Sequence, residues 1–391
     1  MPFATALSTQ PETATAVHEA CTAVAGRLPP PVDLALVFFT PQHAADADTL
    51  ATEVHQRMRP RSLLGCVAEA VVGNDREIED GPALCVWAGT WRTSVALESF
   101  HLTYAETPDG ETFLGWPDGL WTAAPEQAVI FLLGDPLSFP ADECFRELNT
   151  ERRGVRVLGG MASGVRGLGH GCLLRDGEVL NQGAVGVLLH GAVRVRTIVS
   201  QGCRPIGQHM VITKGHDNVI LELGGRSPLD RLREVWTQLG PRDRQLFRRG
   251  LHVGRVINEY QGDFQRGDFL VRNVVALDPA LGALVLNDYV RVGQTVQFHL
   301  RDAATADEDL RALLQLDLSA HERRPEAALL FTCNGRGTRL FDRPHHDVQA
   351  IRAQAGPIPI AGFFAQGEFG PVGGQNFIHG FTASVVLFED D

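Results

Sequence analysis

The stretch IPIAGFFAQGEFG at residues 358–370 is the one on which the fold turns. It is an apolar run whose small residues stand at fixed intervals: Gly362, Ala365 and Gly370. The same intervals recur in SLLGCVAEAVVG at 62–73 (Gly65, Ala68, Gly73) and in RVLGGMASGVRG at 156–167 (Gly159, Ala162, Gly167). An apolar strand precedes each copy at a similar remove: LALVFF at 34–39, AVIFLLG at 128–134 and AALLFTCNG at 327–335. A helical stretch lies between the two strands each time, and a third strand follows: PALCVWAG at 82–89, GAVGVLLHG at 183–191 and HGFTASVVLF at 379–388. Recurrence at this level outranks any local propensity. It predicts an α/β (α+β) protein of mixed β-sheets flanked by helices, built from repeated strand–helix–strand–strand units. Glycine within a strand signals close approach of another backbone or of a ligand.

Outward from the repeats, Val17, Ala20, Cys21, Val24 and Leu28 space a helix over 12–28, closed by Pro29, Pro30 and Pro31. VITKGHDNVILEL at 211–223 reads as a hairpin turning over Gly215–Asn218. Residues 227–239 read as a helix capped by Ser227 with Pro228 in its first turn. The polar GPRDRQ at 240–245 marks a boundary, after which four strands and a helix at 306–318 are expected. The expected organisation is an N-terminal helix and linker (1–31) and two domains, 32–240 and 241–391.

Composition removes several classes of function. Of 391 residues, 35 are Lys or Arg and 47 Asp or Glu, a net charge of −12, and Lys214 is the sole lysine. Lysine-based phosphate loops and Schiff bases therefore have almost no residue to use. The one dense arginine stretch, RDRQLFRRG at 242–250, lies at the expected boundary and reads as a solvated helix face or domain seam, so no nucleic acid is expected as partner. The apolar runs are too short to span a bilayer, and seven scattered cysteines without a C-x-x-C pair suit a cytoplasmic protein with reduced thiols. GLGHG at 167–171 lacks dinucleotide-binding spacing, and no cofactor is expected. His345, His346 and Asp347 are adjacent and cannot face one metal ion; the histidines are expected on a surface or turn, and no metal site is assigned.

Polar chemistry concentrates in the third copy. FTCNGRG at 331–337 leaves a buried strand for a turn in which Arg336 stands beside Gly335 and Gly337, a combination suited to an anion. The glycine-rich segment 362–381 adds Gln366, Glu368, Asn376 and His379. The expected ligand-binding set is Cys333, Asn334, Arg336, Gly337, Gln366, Glu368, Asn376 and His379. Arg336 would fork onto a carboxylate, and Gln366 and Glu368 would read an amino group. A cysteine-dependent hydrolase or transferase using Cys333, His379 and Glu368 is the alternative, and a protein–protein scaffold is another.

FTCNGRG…GFFAQGEFGPVGGQNFIHGFTASVVLF resembles the C-terminal part of FIST (F-box and intracellular signal transduction) proteins, and LALVFFT…LLGCVAEAVVG with VLGGMASG…NQGAVGVLLHG…GCRPIG resembles their N-terminal part. The resemblance covers about residues 32–388. It implies a sensory module binding a small ligand, with amino acids proposed as ligands for the family, in a stand-alone form that needs a separate signalling output protein.

Overall fold

Three sheets organise most of the chain in the computed structural model, which describes residues 2–91, 95–108, 110–164 and 167–389. In each sheet a fully buried strand lies parallel to the next strand and antiparallel to a third. Leu34–Phe39 runs parallel to Ser62–Val67 and antiparallel to Leu84–Gly89. Ala128–Gly134 runs parallel to Arg156–Met161 and antiparallel to Ala184–Gly191. Ala327–Cys333 runs parallel to Ile360–Ala365 and antiparallel to Thr382–Glu389. The central strands are continuous in apolar residues because both of their faces are covered.

Each sheet is extended by a short hairpin that follows the parallel strand of a different sheet. Val71–Gly73 with Arg76–Ile78 adds to Ile360–Ala365. Leu173–Arg175 with Glu178–Leu180 adds to Ser62–Val67. Glu368–Val372, the strand neighbouring Gln375–His379, adds to Arg156–Met161. The inner faces of the sheets share a core that includes Phe38, Trp87, Phe131, Phe331, Phe363 and Phe388. Helices cover the outer faces. Thr13–Ala25 and Ala47–Met58 bury Val17, Val24, Leu50 and Val54 on the first sheet. Ala141–Glu151 buries Phe145 and Leu148 on the second, and His346–Ala355 buries Val348 and Ile351 on the third.

These sheets form one compact unit, running to Val199 and resuming over Leu310–Ile378 and from Thr382. A second unit, Ser200–Asp309 with His379–Phe381, holds a closed six-stranded barrel. The barrel strands, in spatial order, are Cys203–His216, Val219–Leu223, Ala283–Leu286, Phe269–Asp278, His252–Val256 and Thr295–Arg301.

Two features depart from the sequence expectations. A strand, Phe3–Ser8, precedes the first helix and pairs with Leu84–Gly89; its alanines and threonines gave no strand signal, and sheet pairing overrides their propensity. The polar stretch at 240–245 opens a second helix, Pro241–Arg249, inside the barrel unit, directly after Pro228–Gln238. Polarity there reflects an exposed helix face.

Candidate functional site

The strand Ala327–Cys333 ends in a tight turn. The Asn334 amide donates to the Ala365 carbonyl across the parallel pair (2.9 Å), and the Arg336 amide donates to the Cys333 carbonyl (2.7 Å). Gly337 takes φ 59°, which returns the chain inward. This folds Arg336 into the protein, where its side chain is fully buried. Arg336 Nε donates to Asp347 Oδ2 at 2.7 Å and Nη2 to Oδ1 at 2.8 Å. Thr332 Oγ1 donates to the same carboxylate (2.7 Å), and His346 Nδ1 lies 2.9 Å from Oδ1. Phe341 forms a wall: its ring stacks on His346 at 3.4 Å between centroids, and the guanidinium carbon lies 5.2 Å from its centroid.

Burial alone would raise the Asp347 carboxyl. The paired Arg336 guanidinium outweighs it and, with His346, holds the group well below the usual carboxylate range. Burial likewise opposes the charge on Arg336, and Asp347 reverses this, so Arg336 is held above its ordinary value. The expected ligand fork is thus closed on an internal carboxylate. Among the described residues Nη1 is the one guanidinium nitrogen of Arg336 without a hydrogen-bond partner.

Two acids come from the hairpin Val71–Gly73 with Arg76–Ile78: Glu77 in its second strand and Glu79 just beyond it. Glu77 is buried and accepts from the Val348 amide (2.8 Å), and its own amide donates to His345 Nδ1 (3.0 Å). Burial, then the charge of Asp347, pushes the Glu77 carboxyl up to about 8 against the Val348 amide and Arg336. Glu79 accepts from the Thr338 amide (2.9 Å) and hydroxyl (2.7 Å). A Cβ at Gly337 would come within 2.6 Å of that carboxylate, the movable end of the Glu79 side chain, so it is the positive φ that favours glycine there.

The remaining expected residues divide. Cys333 is buried at the strand end, Asn334 is half-buried and Gln366 is exposed, all around the carboxyl ends of the parallel pair. Glu368 is buried and accepts from the Thr382 amide (3.0 Å) and hydroxyl (2.6 Å). Asn376 is a structural bridge: its Oδ1 accepts from the Val157 amide, and its Nδ2 donates to the Val155 carbonyl and Asn149. His379 falls in the second unit, whereas Cys333 and Glu368 belong to the first. His346, expected at a surface or turn, is buried with Asp347 in the Arg336 cluster. Glu77 and Glu79 arrive from more than 250 residues away, and no short-range pattern announces them. Among the described residues no group of His, Cys, Asp and Glu is arranged to hold a metal ion.

Residues 33–226 match the family model of the FIST N domain and residues 228–371 that of the FIST C domain. The chain belongs to the FIST family. FIST domains are sensory domains of signal transduction. The FIST turn at Cys333–Gly337 and the strand Ile360–Ala365 both lie within the stretch matched by the FIST C domain. The FIST chain is 43% identical over 357 residues to an uncharacterized protein of Mycobacterium tuberculosis strain H37Rv, covering 91% of each. It is 41% identical over 368 residues to an uncharacterized protein of Mycobacterium bovis, covering 94% of this chain and 92% of that one.

Proposed function

We propose that this FIST protein is a non-catalytic cytoplasmic sensor of a small carboxylate or amino acid, bound at the carboxyl ends of Ala327–Cys333 and Ile360–Ala365. The observation that carries the reading is the one guanidinium nitrogen of Arg336, Nη1, that has no hydrogen-bond partner among the described residues. Asp347 fixes the guanidinium plane through Nε and Nη2, which leaves Nη1 buried and oriented in advance. A donor so placed loses little entropy on accepting a ligand oxygen. Asn334 and Gln366 offer accessible amides at the same strand ends, the usual position of ligands in α/β sheets. Arg339, which donates to the Asn334 carbonyl and pairs with Glu69, holds the turn shut and would move to admit a ligand. The cytoplasmic setting is supported by seven buried cysteines, none in a disulfide.

The test is a thermal-shift screen of the amino acids and simple carboxylates on the wild type, on Arg336→Lys and on an Asn334→Ala, Gln366→Ala double variant. A ligand at about a hundred times its dissociation constant stabilises the fold by about 2.7 kcal/mol. The shift should shrink in the double variant, whose unliganded melting temperature should match the wild type. The proposal fails if no carboxylate-bearing compound shifts the wild type, or if the shift is equal in all three proteins.

A further inference from the structure

We infer that the barrel unit carries a docking groove for an acidic amphipathic helix of a partner protein, independent of the strand-end site. The groove encloses about 400 Å³ and is lined by Leu229, Leu232, Arg233 and Trp236 of the helix Pro228–Gln238, by Phe247 of Pro241–Arg249 and by Leu277 of the strand Phe269–Asp278. Its floor is rigid: Trp236 and Phe247 meet edge to face at 5.3 Å. Leu277 stands on the outside of the barrel, half exposed.

Charge selects the occupant. Arg244 and Arg248 place their guanidinium carbons 5.4 and 5.6 Å from the Trp236 centroid, two cations over one indole. Among the described residues neither has a carboxylate partner, and the Nε of Arg244 is buried without a hydrogen bond. Arg233 is exposed at the lip, bonded only to Asp230 within its own helix, and Arg248 and Arg249 are exposed too. In a chain of net charge −12 this is a local cationic rim around an apolar trough. The 11-residue helix along one side is about 16 Å long, three turns. A partner helix with apolar residues at i, i+3 or i+4 and i+7, flanked by Asp and Glu, meets both the trough and the rim. An open trough of this kind suits a helix better than a small molecule, which needs most of its surface enclosed.

The experiment is selection of displayed random 16-residue peptides on the full chain, followed by affinity measurement of the enriched peptides. The expected winners are net negative, with apolar residues at helical spacing. Their affinity should fall at least tenfold on Leu277→Glu and on Arg248→Glu, two exposed substitutions that should leave the melting temperature unchanged, and should weaken as salt is raised. Enriched peptides without that pattern, or with equal affinity for both variants, overturn the inference. So does sedimentation as a dimer that Leu277→Glu splits, which would assign the groove to a second copy of the chain.

Discussion

At the scale of single residues, the Arg336–Asp347 pair fixes how the third sheet's turn behaves. Both members are sealed from solvent, so the loss of one leaves the other's charge buried without compensation. Asp347→Ala should cost about 3–5 kcal/mol, because it strands a buried guanidinium, whereas the Arg336→Met, Asp347→Leu double variant should lie near the wild type. Chemical denaturation of the three proteins measures this. Glu77 makes the opposite pH prediction from Asp347. Its folded carboxyl is raised to about 8 from an ordinary 4.5, so the stability tied to its bound proton is fully present below 4.5 and is lost as pH rises to about 8. Glu77→Gln keeps an acceptor for the Val348 amide and removes that loss. The variant should therefore gain melting temperature over wild type at pH 8 and little or none at pH 4; a gain independent of pH would contradict the assignment.

At the scale of elements, three glycines do the same steric task. A Cβ on Gly65, Gly159 or Gly362 would press on the carbonyl oxygen of Val37, Leu132 or Leu330, respectively, in the parallel neighbour. Gly362→Ala should therefore cost about 3 kcal/mol or more, the upper range for overpacking, read as a lowered denaturation midpoint. In the barrel, His252 and His299 face each other across adjacent strands, both buried, and burial lowers each to about 4 from 6.5. Stability from their neutral forms is present above 6.5 and is lost as pH falls towards 4. His299→Phe, which fits beside Phe269 at 4.9 Å, should flatten that acid loss in a melting series from pH 7 to pH 4. Most of the strands and helices were legible in the sequence because apolar period and punctuation are local signals; Phe3–Ser8 and Pro241–Arg249 were not. The helix expected from Ser227 forms with Ser227 as its cap, its hydroxyl accepting from the Asp230 amide. The cluster was legible only in part. Arg336 and Gly337 announced an anion, but the anions that fill the turn, Asp347 and Glu79, are the protein's own, one supplied by a helix and the other by a hairpin remote in sequence. The barrel was missed because closure depends on pairings such as Cys203–His216 with Thr295–Arg301, which no local pattern encodes.

At the scale of the molecule, the hairpins pass in a cycle: the first sheet's goes to the third, the third's to the second and the second's to the first. A fragment ending at residue 226 would leave Val71–Gly73 without Ile360–Ala365, and Arg156–Met161 without Glu368–Val372. It should show no cooperative melting by circular dichroism, and adding residues 227–391 in trans should restore it if the sheets can still close. The same cycle also sets a timetable for synthesis. While a ribosome is still making the barrel segment, two of the three sheets of the first unit are unfinished: the second lacks Glu368–Val372 and Gln375–His379, and the third lacks Ala327–Cys333, Ile360–Ala365 and Thr382–Glu389. That unit can close only after residue 389 has left the exit tunnel, whereas the barrel strands, all within Cys203–Arg301, are ready earlier. The half-made chain thus holds open strand edges for the longest part of its birth, and nascent-chain chaperones should shape its yield more than its final stability does.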